Sequence, residues 1–121
     1  MRELKKQLRN TLLSICPNVY AFEKAPADGP VPYLTYDLAQ GTNIEDQIVW
    51  IVDVDIWDKN INEINVDDLV KKLKKLNRFN FINDKIQFSM HLDRIINTKS
   101  ESLDWKRKTV VFNIRYYDRE V

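Results

Sequence analysis

The chain has 121 residues, of which 44% are hydrophobic and 31% charged, and its net charge is +1. That length suits a single domain, residues 1–121, with room for a real core, and the balance excludes a disordered chain. No apolar run reaches the length of a membrane-spanning helix, the near-neutral charge gives no bulk pull toward nucleic acid, and the scarce glycines, Gly29 and Gly41, form neither a phosphate-cradling loop nor a nucleophile elbow.

The opening "MRELKKQLRN" is charged and lacks an apolar h-region, so a secretory signal is not expected. Leu4, Leu8, Leu12 and Ile15 form one stripe at helical spacing, which predicts a helix over 2–15, stopped by Pro17. Cys16 is the single cysteine; it allows no internal disulfide and fits a reducing cytosol. As a nucleophile it has no companion here, and it reads as a small buried hydrophobe at a helix end. A short strand is expected at Val19 to Phe22, then a loop through the proline-rich "EKAPADGPVP". "YLTYDLA" predicts a strand from Tyr33 to Ala39, followed by a turn at Gly41-Thr42-Asn43.

In "IVWIVDVDIW" side chains alternate, so Ile48, Trp50, Val52, Val54 and Ile56 share one face and Asp53 and Asp55 share the other with Val49 and Ile51. One apolar and one mixed face predict a sheet covered on one side. Asn62 or Asn65 is the expected cap of a second helix with Val66, Leu69, Val70, Leu73 and Leu76 as its stripe, acids in its first turn, and Asp67 and Asp68 four residues before Lys71 and Lys72. Two long strands follow, with Ile86, Phe88, Met90 and Leu92 on one face of the first and Val110, Phe112, Ile114 and Tyr116 on one face of the second. The polar "NTKSESLD" joins them as a hairpin tip. The expected fold is α+β: a mainly antiparallel sheet of four to five strands with two helices packed on one face.

The candidate chemistry is thin. Asp53 and Asp55 point the same way, about 7 Å apart, and could serve a hard metal, but the further oxygen ligands such an ion requires have no evident source. A solvent-facing or subunit-facing pair, met by Arg115 from a neighbouring strand or chain, is the plainer reading. Ser89, His91 and Asp93 supply the residue types of a hydrolytic triad on one strand face, yet parallel side chains do not converge as a triad must, and no tight glycine turn offers an oxyanion hole. "KKLKKLNR" at 71–78 could grip phosphate, but its cations lie off the apolar stripe and are balanced by acids earlier in the helix, as on a solvated face. One Cys and one His, 75 positions apart, make no zinc signature. No metal or cofactor is expected, and no catalysis. Trp57, Trp105 and Tyr117 fall outside the core register and are candidate anchors for a protein partner or for stacking on bases.

The order of "RELKKQLRNTLLSI", "PYLTYDLAQGTNIEDQIVWIVDVDIWDK", "VDDLVKKLKKL" and "FSMHLDRIINTKSESLDWKRKTVVFNIRYYD" resembles the tail completion, or tail terminator, proteins of long-tailed bacteriophages and related prophages. The resemblance covers nearly the whole chain and rests on arrangement, with no residue-level motif. It implies an α+β structural subunit without enzymatic activity, usually six to a ring, that caps the finished tail tube, halts its growth and meets the head-side connector, while DNA passes through the lumen without specific binding. It also implies residence in the virion, after assembly in the host cytoplasm. Residues 25–32 and 97–104 would be partner loops, and Asp53, Asp55, Trp57, Trp105, Arg107, Arg115 and Tyr117 the subunit or partner interface. Two alternatives stand beside it: another head–tail connector or minor capsid (neck) protein, and a nucleic-acid-binding module using the 71–78 helix.

Overall fold

A computed structural model describes residues 2–26, 29–44, 47–59, 64–98 and 106–119. The element order is α1 (Arg2–Leu13), β1 (Val19–Ala21), β2 (Tyr33–Ile44), β3 (Gln47–Asp58), α2 (Ile64–Lys74), β4 (Asn80–Ile82), β5 (Ile86–Thr98) and β6 (Lys106–Asp118). The strands form one six-stranded sheet in the order β1-β2-β3-β6-β5-β4. Only β1 and β2 run parallel; every other pair is antiparallel. The fold is α+β with more strands than expected, because β4 carries no apolar alternation to announce it.

Even-numbered residues of β2, β3 and β6 build the core face. Leu34, Val52, Val54, Ile56, Val110, Phe112 and Ile114 are buried there with Ile86, Phe88 and Met90 of β5. Leu4, Leu8 and Leu12 from α1, Val66, Leu69, Val70 and Leu73 from α2 and Leu76 just past its end close over this face, the reciprocal burial that a helix stripe and a sheet face require. Truncating a side chain such as Phe88 or Phe112 to alanine should cost about 3–5 kcal/mol, the usual loss for a buried aromatic. Trp50 shares this face but is only half-buried, near the end of the sheet.

α1 spans the sheet. Near its start Glu3 accepts from Asn83 Nδ2 at 3.3 Å, beside β5, and beyond its end the Cys16 thiol approaches the Pro32 carbonyl at 3.6 Å, beside β2. The helix closes with the Ile15 and Cys16 N–H groups both donating to the Leu12 carbonyl, before Pro17, which has no N–H to offer. The Glu3 carboxyl, hydrogen-bonded by Gln7 and Asn83, is held below its ordinary pKa. Asp67 in the first turn of α2 is bound by Lys108 of β6 at 2.7 Å rather than by Lys71, so that acid ties the helix to the sheet. Asn65 lies inside α2 and does not cap it; Asn62 falls outside the described residues. At the other end of the helix Arg78 takes the left-handed conformation, φ 69°, and its N–H donates to the Met90 carbonyl.

The expected turn at Gly41-Thr42-Asn43 is instead a bulge inside a longer hairpin: β2 continues to Ile44 and the register with β3 slips between Gln40 and Asn43. The cause is the close approach of β3 at Gly41. A Cβ there would stand 2.7 Å from the Val49 carbonyl oxygen, so only glycine fits. A second slip, between Leu92 and Arg94, leaves Asp93 without a partner in β6.

Candidate interaction surface

The sheet face turned away from the helices carries the predicted residues in rows that the strand registers set. One row is Tyr33, Trp57 and Arg107; the next is Thr35, Asp55 and Thr109; the next is Asp37, Asp53, Val111 and Arg94; and the next is Ala39, Ile51, Asn113 and His91. The alternation read from the sequence therefore holds: both aspartates stay opposite Val52, Val54 and Ile56.

Asp55 nonetheless departs from expectation. It is 5% exposed, not solvent-facing. Arg107 Nη2 donates to its Oδ2 at 3.0 Å, and the Thr109 hydroxyl makes a short hydrogen bond to its Oδ1. The Arg107 guanidinium also lies over the Trp57 ring, 4.6 Å from its centroid. Trp57 stacks on Tyr33 at 6.1 Å and donates its indole N–H to the Thr35 hydroxyl at 3.1 Å, and Tyr33 meets Tyr20 edge-on at 5.9 Å. A buried carboxylate is thus satisfied by charge-assisted bonds, and its arginine partner lies over an aromatic ring, an arrangement that fixes rotamers. Burial, with a smaller push from Tyr20, raises the Tyr33 phenol above its ordinary pKa.

Asp53 is different. It stands directly opposite Asp37, like charge against like, and remains exposed. Partial burial of its carboxyl, then the charges of Asp55 and Asp37, push it above the usual carboxylate range, with Arg94 pulling the other way. The nearby apolar side chains on this face are uneven: Val111 is buried, while Ile51 is 38% and Ile96 40% exposed.

Within the chain Arg115 does not meet the aspartates. It pairs in register with Val49 and Ser89, four residues along β3 from Asp53, and is exposed. Arg107 takes the role expected of it, because cross-strand register rather than residue type chooses the partner. Tyr117 is exposed at the far end of β6, opposite Gln87. Trp105 lies outside the described residues, as do 99–104 of the expected 97–104 loop, while Asn97 and Thr98 belong to β5. Thr35, Thr109, Tyr33 and Tyr20 were not singled out from the sequence. A face count along "KRKTVVFNIRYYD" would have joined Thr109 to Arg107, but only the sheet register brings Asp55 to both.

Ser89 Oγ and His91 Nε2 stand 3.1 Å apart, but Asp93 is the bulged residue and forms its ion pair with Arg94 at 3.9 Å in solvent. Among the described residues no group of three His, Cys, Asp or Glu side chains could hold a metal ion. Lys71, Lys72, Lys74, Lys75 and Arg78 are all exposed on or just past α2, away from the buried stripe. Burial raises the pKa of the Cys16 thiol, the direction of an inert thiol.

No family model and no curated protein sequence matches the chain. Its architecture, two helices on one face of a mostly antiparallel sheet, is shared with solved structures. One is a chain of the virion of a native gene transfer agent particle, with a TM-score of 0.67 and 17% sequence identity, over 93% of this chain and 90% of that one. At that identity the likeness is one of fold.

Proposed function

We propose that this chain is a structural subunit of a phage-type virion, and more specifically a tail terminator that forms a ring on the finished tail tube. The observation that carries the reading is the fold match to a virion chain, which runs almost end to end along both matched chains. The surface supports it. The face away from the helices is built as a rigid, interlocked polar and aromatic plate with exposed apolar residues beside it, the composition of a protein-binding surface rather than of a reaction cleft. The subunit acts without cofactor or catalysis. Its partners are copies of itself, six to a ring, the tail tube protein and the head-side connector, and DNA passes through the lumen without specific contacts. Its place of work is the virion neck, after assembly in the host cytoplasm.

The test is arrest of polymerisation. Purified chain added to growing tail tubes should stop elongation at a substoichiometric ratio and appear as a terminal ring in electron micrographs. Tubes that grow on unchanged, with the chain joining pre-terminated tails to heads, would transfer the reading to a head–tail connector.

A further inference from the structure

Among the described residues the sheet leaves stretches of two strand edges uncovered, and they belong to opposite sides of the same chain. β1 pairs with β2 only as far as Tyr36, and β4 pairs with β5 only through Gln87 to Ser89. The Leu34 N–H donates to the Asn18 carbonyl and the Tyr36 carbonyl accepts from the Phe22 N–H, so even-numbered residues of β2 turn their backbone groups toward the β1 side. The strand alternation carries this to Leu38 and Gln40, where among the described residues no strand stands alongside. On β5 the Met90 backbone bonds to Arg78 and Phe79 and the Leu92 N–H to the Asn77 side chain. Past the bulge the alternation resets, and Ile95 and Asn97 turn their backbone groups outward. A shallow groove of about 220 Å³, lined by Lys5, Ala21, Phe22, Tyr36, Asp37 and Leu38, opens where β1 ends and uncovers the β2 edge.

We propose that these two edges meet between copies of this chain: β2 residues 37–41 of one copy pair antiparallel with β5 residues 94–98 of the next, Leu38 opposite Asn97 and Gln40 opposite Ile95. This register satisfies all the outward backbone groups of those four residues. It keeps the faces in phase, placing Ile96 of one copy on Ala39 of the other, next to Ile51, so that two exposed apolar side chains flank the small Ala39. Asn97 then enters the groove beside Lys5. Unpaired strand edges are templates for such addition, and because the two edges differ the contact is head-to-tail and repeats from copy to copy.

The geometry also permits closure. Within one chain Asn97 lies level with Leu34, through Lys108 and Ile56. Pairing it with Leu38 instead offsets successive copies by four residues, roughly 13 Å along the strand at ~3.3 Å each. Four strands per repeat (β2, β3, β6 and β5) span roughly 19 Å at ~4.8 Å spacing. A ring with this offset inclines its strands by roughly 35°, the tilt at which closed barrels settle.

Ring closure rests on the terminator reading; the strand pairing does not, and one experiment separates them. Ala39→Cys and Ile96→Cys proteins, each in a Cys16→Ala background whose fold is checked by melting, are mixed at self-associating concentration and mildly oxidised. Residues 39 and 96 form a non-hydrogen-bonded pair, whose Cα separation suits a disulfide. The mixed disulfide should exceed either homodisulfide at least tenfold, while Ala39→Cys with Lys71→Cys, on the helix side, should give none. Oligomers without the mixed disulfide overturn the pairing and leave the ring reading standing. A mixed disulfide in a chain that never caps tubes upholds the pairing and removes the terminator. Equal yields from both mixtures would mean random collision and overturn the pairing, as would a chain that stays monomeric without any disulfide, while the terminator reading is decided by the tube test.

Discussion

Arg107 reaches across from β6 to Asp55 of β3 at 3.0 Å while its guanidinium covers the Trp57 ring, so one side chain both neutralises a buried carboxylate and seals the aromatic row above it. Arg107→Ala would strip the charge partner and the roof together. The loss should be about 2–3 kcal/mol in denaturant unfolding, because Asp55 would keep its burial and lose its counter-ion. Arg107→Lys should recover only part of this, since an ammonium lacks the planar group that both pairs with Asp55 and lies over the Trp57 ring. Equal stability of the alanine variant and the parent would mean the pair contributes nothing.

The opposition of Asp37 and Asp53 makes a second, oppositely signed prediction. Partial burial first, then the charges of Asp55 and Asp37, raise the pKa of the Asp53 carboxyl in the folded state, so the fold binds more protons than the unfolded chain between the ordinary carboxylate value and the raised one. Stability therefore falls as pH rises through that window. Asp53→Asn removes the penalty. Its stability should exceed the parent's at pH 7, by less than about 1 kcal/mol for an exposed cross-strand pair, and the difference should vanish toward about pH 3, well below the ordinary carboxylate pKa, where carboxylates are largely protonated in both states. A gain that persists at pH 3 would rule out the charge explanation.

Two backbone positions respond in opposite directions. Gly41→Ala drives a methyl into the Val49 carbonyl at the bulge and should destabilise the β2–β3 hairpin, read as faster amide exchange in residues 38–51. Arg78→Gly relieves a left-handed conformation at the end of α2 and should stabilise by about 0.5–1 kcal/mol.

The Cys16 thiol should be silent toward an aromatic disulfide reagent in the native protein and react fully once the chain is unfolded in guanidinium. It is buried against the Asn18 and Pro32 carbonyls, with its pKa raised by that burial. Rapid native labelling would place the α1–β1 junction in solvent.

Much of the fold was legible because it rests on periodicity. The stripe of Leu4, Leu8 and Leu12, the stripe from Val66 to Leu76, and the alternation from Trp50 to Ile56 are local patterns, and each predicted which residues the core would take. What escaped is set by neighbours distant in sequence. β4 is three residues held by pairing to β5, with Asn80 and Ile82 exposed and Phe81 half-buried, so no pattern marks it. Gly41 beside polar residues reads as a turn, and only the approach of Val49 makes it a bulge. The same holds for the surface. That Asp53 and Asp55 lie off the core follows from strand geometry, but that Arg107 rather than Arg115 meets Asp55, and that Thr109 buries it, depends on how β3 lies against β6.

The central claim, a ring that ends tail growth, is tested most directly by tail length in particles made without this chain. The account predicts tails of uncontrolled, excessive length that carry no heads. Tails of normal, uniform length accumulating beside unjoined filled heads would contradict it.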